Sequence, residues 1–159
     1  MEDVSYPRWL DDEQQVIWRS CLAGSAYILA QLGVALRQFD LDINEYEILV
    51  RLSESEPHAL RMSTLAENTY QSRSRLTHTV SRMEKRGLVT RRRAPEDRRG
   101  IIAELTEAGM ALLQAAAPVH VESVRQVFID RVDPEDLKAV GRVMAAVLRD
   151  LPTDSYAHC

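Results

Sequence analysis

Between Asp11 and about Phe39, apolar residues recur at helical intervals through Val16, Ile17, Leu22, Tyr27, Ile28, Leu32, Ala35, Leu36 and Phe39. This pattern predicts one long helix, with more apolar positions than one face of a small domain can cover. The segment DINEYEILVRLSESEP then predicts a second helix over 44–54, with Asn44 as N-cap, Glu47 three residues later and Pro57 just beyond its end. A short third helix begins at Met62-Ser63, capped by Ser63, and stops near Asn68-Thr69. Ser72 caps a fourth helix, in which Leu76, Val80 and Met83 at i, i+4 and i+7 make a narrow apolar stripe, and Gly87 supplies the permissive residue after its end. Two short alternating runs, 88–93 and 100–105, predict antiparallel strands joined through Pro95 and closed by Gly100. Thr106 caps a further helix to about Val132 that Pro118 should kink, and Asp133-Pro134 opens a last helix with a stripe through Leu137, Val140, Met144, Val147, Leu148 and Leu151.

Short helix, short turn, second helix and hairpin are the parts of a winged helix-turn-helix. The fold class expected is mostly α with a small β-hairpin wing (α+β). The first and last helices hold more apolar surface than such a lobe can cover, and a dimerisation bundle is its economical use. The chain then divides into a flexible arm (1–10), an N-terminal dimerisation helix (11–43), a winged helix-turn-helix lobe (44–105), C-terminal dimerisation helices (106–151) and a flexible tail (152–159).

Charge sharpens this picture. The 159 residues have a formal net charge of -4, yet residues 61–105 hold eleven Lys+Arg against five Asp+Glu, and five of those arginines fall within 91–99. An acidic body with one basic lobe is the footprint of a polyanion-binding surface. On the fourth helix, Ser74, Thr77, His78, Ser81 and Lys85 lie opposite the apolar stripe, with Arg73, Arg75 and Arg82 flanking. Small hydroxyls and an imidazole fit base edges in a major groove, and the arginines reach phosphates. On the wing, Arg93 lies on the first strand and Arg98 and Arg99 at the tip, where a long cation can enter a minor groove, and Asp97 can hold a guanidinium in one orientation. A solvated hairpin and solvated helix face are the plainer alternatives.

The wing 97-DRRGIIAELTEAG-109 resembles the MarR family pattern Asp-x-Arg-Gly/Ser, alternating apolar residues, then Leu-Thr-x-x-Gly. The helix ending 82-RMEKRGLV-89 is similar to that family's Arg-x-Glu-x-x-Gly-Leu-Val, with Met83 where the family often has Leu. The helix order agrees, so the resemblance covers roughly 11–151. It implies a triangular homodimer with the terminal helices at the apex and two winged helices reading a palindromic double-stranded operator. By position it implies that Ser72 to Arg82 form the major-groove helix, that Arg99 is the wing-tip arginine and that Asp97 is its orienting acid. It also implies repression of neighbouring genes, relieved by a small aromatic acid, a drug or an oxidant.

Trp9, Trp18 and Tyr27, with His120 and Arg125 beyond Pro118, are candidates to line a pocket for such an effector, against the simpler reading that each is a core or surface residue. Cys21 raises a thiol-redox alternative, against which stands an inert buried cysteine. Cys21 and Cys159 have no metal spacing, and phosphate-loop and nucleophile motifs are missing, so neither enzyme nor cofactor is expected. No run of 18 apolar residues occurs and the N-terminus is acidic, so a cytoplasmic protein without a membrane partner is expected. A winged helix serving as an architectural or protein-interaction module remains a rival, though its small polar face lacks the aromatics of a protein interface.

Overall fold

The computed structural model describes residues 7–95 and 97–149, excepting the side chains of Arg98 and Arg99. Six helices and a three-stranded sheet follow in order: α1 Asp12–Leu36, α2 Ile43–Glu54, β1 Ala59–Arg61, α3 Met62–Asn68, α4 Arg73–Lys85, β2 Val89–Ala94, β3 Asp97–Leu105, α5 Glu107–Val127 and α6 Pro134–Val147. The sheet is antiparallel in the order β1-β3-β2.

Capping chemistry sets most helix starts. Asp11 accepts from the Gln14 backbone N–H (2.8 Å) and Gln14 returns the bond to the Asp11 N–H (3.2 Å), which closes a capping box at α1. Ser72 Oγ accepts from Arg75 N–H and Asp133 from Glu135 N–H, as their sequence positions imply. Two expected caps are corrected. The cap of α2 is Asp42, boxed with Glu45, rather than Asn44 with Glu47. Both pairs have the same spacing, but starting at Asp42 puts buried Leu41 and Tyr46 in the positions of a hydrophobic staple. At α3 the N-cap is Arg61, without a side-chain bond, because Ala59–Arg61 is drawn into the sheet opposite Ile102 to Glu104. Three residues are too few for alternation to announce a strand.

The end of α4 follows from Gly87. Its φ of 71° lets the Gly87 N–H reach the Glu84 carbonyl (2.9 Å) and the Leu88 N–H reach the Met83 carbonyl (3.0 Å), the bond pair of a Schellman cap. Met83 and Leu88 are both buried and join the core. The wing strands are longer at the tip than expected, with Ala94 opposite Asp97 after a register shift at Arg93/Ala94. Arg98 and Arg99 are therefore β3 residues immediately after the turn.

The Leu-Thr-x-x-Gly signature has a structural job. Thr106 Oγ1 accepts from Gly109 N–H (3.0 Å) and donates to the Gly87 carbonyl (2.7 Å), which pins the start of α5 to the α4–β2 corner. A Cβ on Gly109 would fall on the Leu88 carbonyl oxygen, so only glycine permits this approach. The helix then runs through Pro118 and ends at Val127, short of the expected Val132, with a 3-10 turn at Ile129–Arg131 in place of its last turn.

One core serves the lobe. Leu76, Val80 and Met83 of α4 are fully buried, as their stripe predicts, against α2 residues such as Ile48, Leu49 and Leu52 and strand residues Val89 and Ala103. The last turns of α1 enter the same core through Leu36. The rest of α1 stands clear, with Val16, Ile17, Trp18 and Leu22 exposed, and α6 has no buried residue. By length and composition alone Asp12–Phe39 could cross a membrane, although it contains no run of 18 apolar residues. Its C-terminal turns are nonetheless packed in the lobe, with Leu32 and Leu36 buried.

Candidate nucleic-acid interface

The buried stripe of α4 decides which side of that helix faces outward. With Leu76, Thr79, Val80 and Met83 turned inward, Ser72, Arg73, Ser74, Arg75, Thr77 and His78 are exposed and Ser81 is half-buried. Thr77 Oγ1 donates back to the Arg73 carbonyl (2.7 Å), which fixes its side chain on this face. The turn before this face contains no glycine. Tyr70 itself takes φ 51°, which lets Gln71 N–H reach the Ala66 carbonyl (3.0 Å) and brings α3 and α4 into the helix-turn-helix.

The basic lobe divides its cations into two sets. Arg91 is held by Glu84 through backbone and guanidinium bonds, and Arg92 by Glu104 (3.0 Å). The Arg91 guanidinium, hydrogen-bonded to Glu84, keeps that carboxyl below its ordinary range. Arg61 pairs with Asp97 (3.1 Å), so the proposed orienting acid also braces the wing against β1. Arg82 turns back to Asp42 (2.9 Å) and Glu45 (3.1 Å), and Arg86 to Glu45 (3.2 Å). Left without an ion pair among the described residues are Arg73, Arg75, Lys85 and Arg93. The cluster of arginines in the sequence is thus partly internal wiring, a distinction that residue spacing does not carry.

Arg73 and Thr77 face Arg61, Asp97, Gly100 and Ile101 across a groove of about 400 Å³ between α4 and the base of the wing. Helix face and wing therefore frame one continuous surface. The side chains of Arg98 and Arg99 lie outside the described part of the structure.

The five candidate effector residues differ in their surroundings. Trp9 (86% exposed), Trp18 and Tyr27 face outward, and Arg125 pairs with Asp130 (2.6 Å). His120 alone is packed inward, its ring 4.3 Å from that of Tyr46 on α2 and its Nδ1 buried without a hydrogen-bond partner. Tyr46 was not singled out in the sequence, because only the α2–α5 contact reveals it. Cys21, expected to be buried, is exposed. Among the described residues no group of three His, Cys, Asp or Glu is placed to hold a metal ion.

Burial lowers the His120 pKa from its ordinary 6.5, against a weaker upward pull from Glu47, and burial together with Glu47 raises that of Tyr46. The unfolded chain therefore binds the His120 proton at a higher pH than the folded one does. Stability is expected to fall as pH drops through 6.5, until the folded-state pKa is passed. A His120→Phe variant keeps an aromatic ring on Tyr46 and should lose less stability between pH 7 and 5 in urea titrations. Equal losses in the two proteins would exclude His120 as the cause.

The sequence pattern that defines the MarR family matches residues 41–101. Over nearly its whole length the chain is similar to AbsC, a MarR family transcriptional regulator from Streptomyces coelicolor: 46% identity, 91% of this chain and 98% of that one covered, TM-score 0.85. It is also similar to Sco3205, a MarR family regulator from the same organism solved in complex with DNA, at 38% identity, 96% coverage of both chains and TM-score 0.87. The organic hydroperoxide resistance transcriptional regulator of Bacillus subtilis is 29% identical over 81% of this chain and 84% of its own length. Together with the helix-turn-helix and wing built here, these likenesses establish that the chain belongs to the MarR family, whose members are winged-helix, DNA-binding transcription regulators and not enzymes.

Proposed function

We propose that the protein is a homodimeric repressor that binds a palindromic operator through α4 and the wing and is released by a small-molecule effector. The observation that carries this reading is the exposed face Ser74, Thr77 and His78 with Arg73 and Arg75, on a helix whose opposite side is wholly buried. Sco3205, seen bound to DNA, supports it. In this reading 44–105 is the DNA-binding lobe, and 11–43 with 106–151 build the dimer stem in a cytoplasmic protein. Val16, Ile17, Leu22 and the exposed α6 residues Val143 and Val147 are the surface a second copy would cover.

Two reading helices should then sit about one DNA turn apart, roughly 10 bp between half-site centres. Ser74→Ala or His78→Ala is expected to alter base preference at single positions by about 1–3 kcal/mol, whereas Arg99→Ala should weaken all sequences alike. Selection from a random duplex library measures both. An unchanged preferred sequence in the Ser74 and His78 variants would remove α4 as the reader.

For the effector we favour a small aromatic acid acting at the junction of stem and lobe, where His120 and Tyr46 join α5 to α2. Such a ligand must bind the DNA-incompetent arrangement more tightly than the competent one. Trp18→Ala and His120→Ala should leave operator affinity near wild type while blunting release by salicylate-like acids. The exposed thiol of Cys21 and the hydroperoxide-linked Bacillus relative support a second reading, a redox switch. Peroxide-driven release that vanishes only in Cys21→Ser would select it.

A further inference from the structure

The structure contains a five-membered charge network that the DNA-reading surface does not require. Arg82 lies in the last turn of α4 and Arg86 is its C-cap, and both guanidinium groups reach Glu45 on α2, at 3.1 and 3.2 Å. Glu45 is the inner member: its side chain is 6% exposed, and it also accepts from the Asp42 N–H in the cap of α2 (3.2 Å). Arg82 then reaches Asp42 (2.9 Å) and Arg86 reaches Asp40 (3.4 Å). Asp40 and Asp42 belong to the corner where the chain leaves α1 and enters α2, and Asp40 holds a left-handed φ of 54° there.

A buried carboxylate shared by two arginines is geometrically demanding, since each guanidinium presents fixed donors and a small displacement leaves charge unpaired in a poorly solvated place. Three acids on the corner thus fix the C-terminal half of α4 in both position and rotation. The N-terminal half, which carries Ser74, Thr77 and His78, is rigidly continuous with it.

We propose that Arg82 and Arg86 are positioning residues that clamp the reading helix to the α1–α2 corner through Glu45, and that Arg82 serves sequence recognition through this clamp and not through a phosphate. The inference rests on α4 being the DNA reader and revises the part that residue spacing alone gives to Arg82. Its consequence is mechanical: whatever tilts α1 in the stem moves Asp40 and Asp42, and the clamp passes that movement to the reading face. The Glu45 hydrogen bond, above all, raises the Arg82 pKa further, so that guanidinium stays charged.

The test compares operator and random-duplex affinity over a range of salt for the full-length protein. A phosphate contact contributes about 0.9 to the slope of log K against log salt. Arg82→Gln and Glu45→Gln are each expected to lower the operator-to-random ratio about tenfold or more, with the salt slope and random-duplex affinity unchanged. Glutamine at 45 keeps the oxygen that caps α2, so folding should survive. The double variant should be no worse than the weaker single one, because both break the same link. Arg82→Lys should recover part of the ratio, since one ammonium can meet one carboxylate but cannot bridge two. Arg73→Ala, by contrast, should reduce the slope by about 1.

If Arg82→Gln lowers both affinities alike and reduces the slope by about 1 while Glu45→Gln is silent, Arg82 is a phosphate contact and the clamp is wrong. A lowered melting temperature with an unchanged ratio also overturns it, leaving a merely structural pair. Thr77→Ala and His78→Ala keep the two levels apart. If they shift the selected sequence and Glu45→Gln leaves the ratio intact, only the clamp fails, and if they shift nothing, α4 is not the reader and both readings fall.

Discussion

Leu22→Glu combined with Val147→Glu is expected to leave a folded monomer whose operator affinity is lower by about 10²- to 10⁴-fold. Both residues are exposed, Val147 at 70%, on helices that carry far more apolar surface than the lobe covers. A carboxylate at each site stays solvated in the monomer and costs it little, but burying it between two copies exacts a large desolvation penalty. In the proposed dimer the second half-site contact forms at high effective concentration, and losing it forfeits a gain on the order of 10²- to 10⁴-fold. Light scattering and operator titration at one salt concentration measure the two quantities. A variant that remains dimeric, or a monomer that binds as tightly as wild type, would refute the assignment of α1 and α6 to the stem.

Gly109→Ala should destabilise the lobe by about 3 kcal/mol, because the added methyl overpacks a site with no room. Its Cβ would collide with the Leu88 carbonyl and come within 2.8 Å of Leu105 Cδ1. Backbone cannot step aside as a flexible side chain does, so α5 must lift from the α4–β2 corner and strain the Thr106 bonds to Gly87 and Gly109. Thr106→Val, which removes only those bonds and the cap, is expected to cost less, about 1–2 kcal/mol. Urea unfolding ranks the two. A Gly109→Ala midpoint equal to wild type would mean that the close approach is not a constraint.

The parts legible in the sequence are those whose cause lies within a few residues. The stripe Leu76, Val80 and Met83 told which side of α4 is buried, since helical period depends only on spacing along the chain. Ser72, Thr106 and Asp133 cap because a short oxygen-bearing side chain sits next to unpaired N–H groups wherever the helix lies. Gly87 ends α4 for an equally local reason, its freedom to take φ 71°. Excess apolar residues on α1 and α6 likewise anticipated helices that the lobe leaves exposed, since area to be covered can be counted before any contact is known.

Tertiary structure alone decided which charges work inward. Arg82 meets Asp42 and Glu45 from some forty residues away, and Asp97 meets Arg61 across the sheet, so their roles depend on the path of the chain and not on neighbours in sequence. The same holds for β1, which is a strand only because β3 is there to pair with it, and for His120, whose stacking on Tyr46 requires α5 to cross α2. It decided between two equivalent capping pairs at α2 through the burial of Leu41 and Tyr46. Local spacing determines hydrophobic faces and helix ends because those energies are set over one or two turns, whereas the partner of a long charged side chain is chosen by whichever opposite charge the completed fold brings within reach.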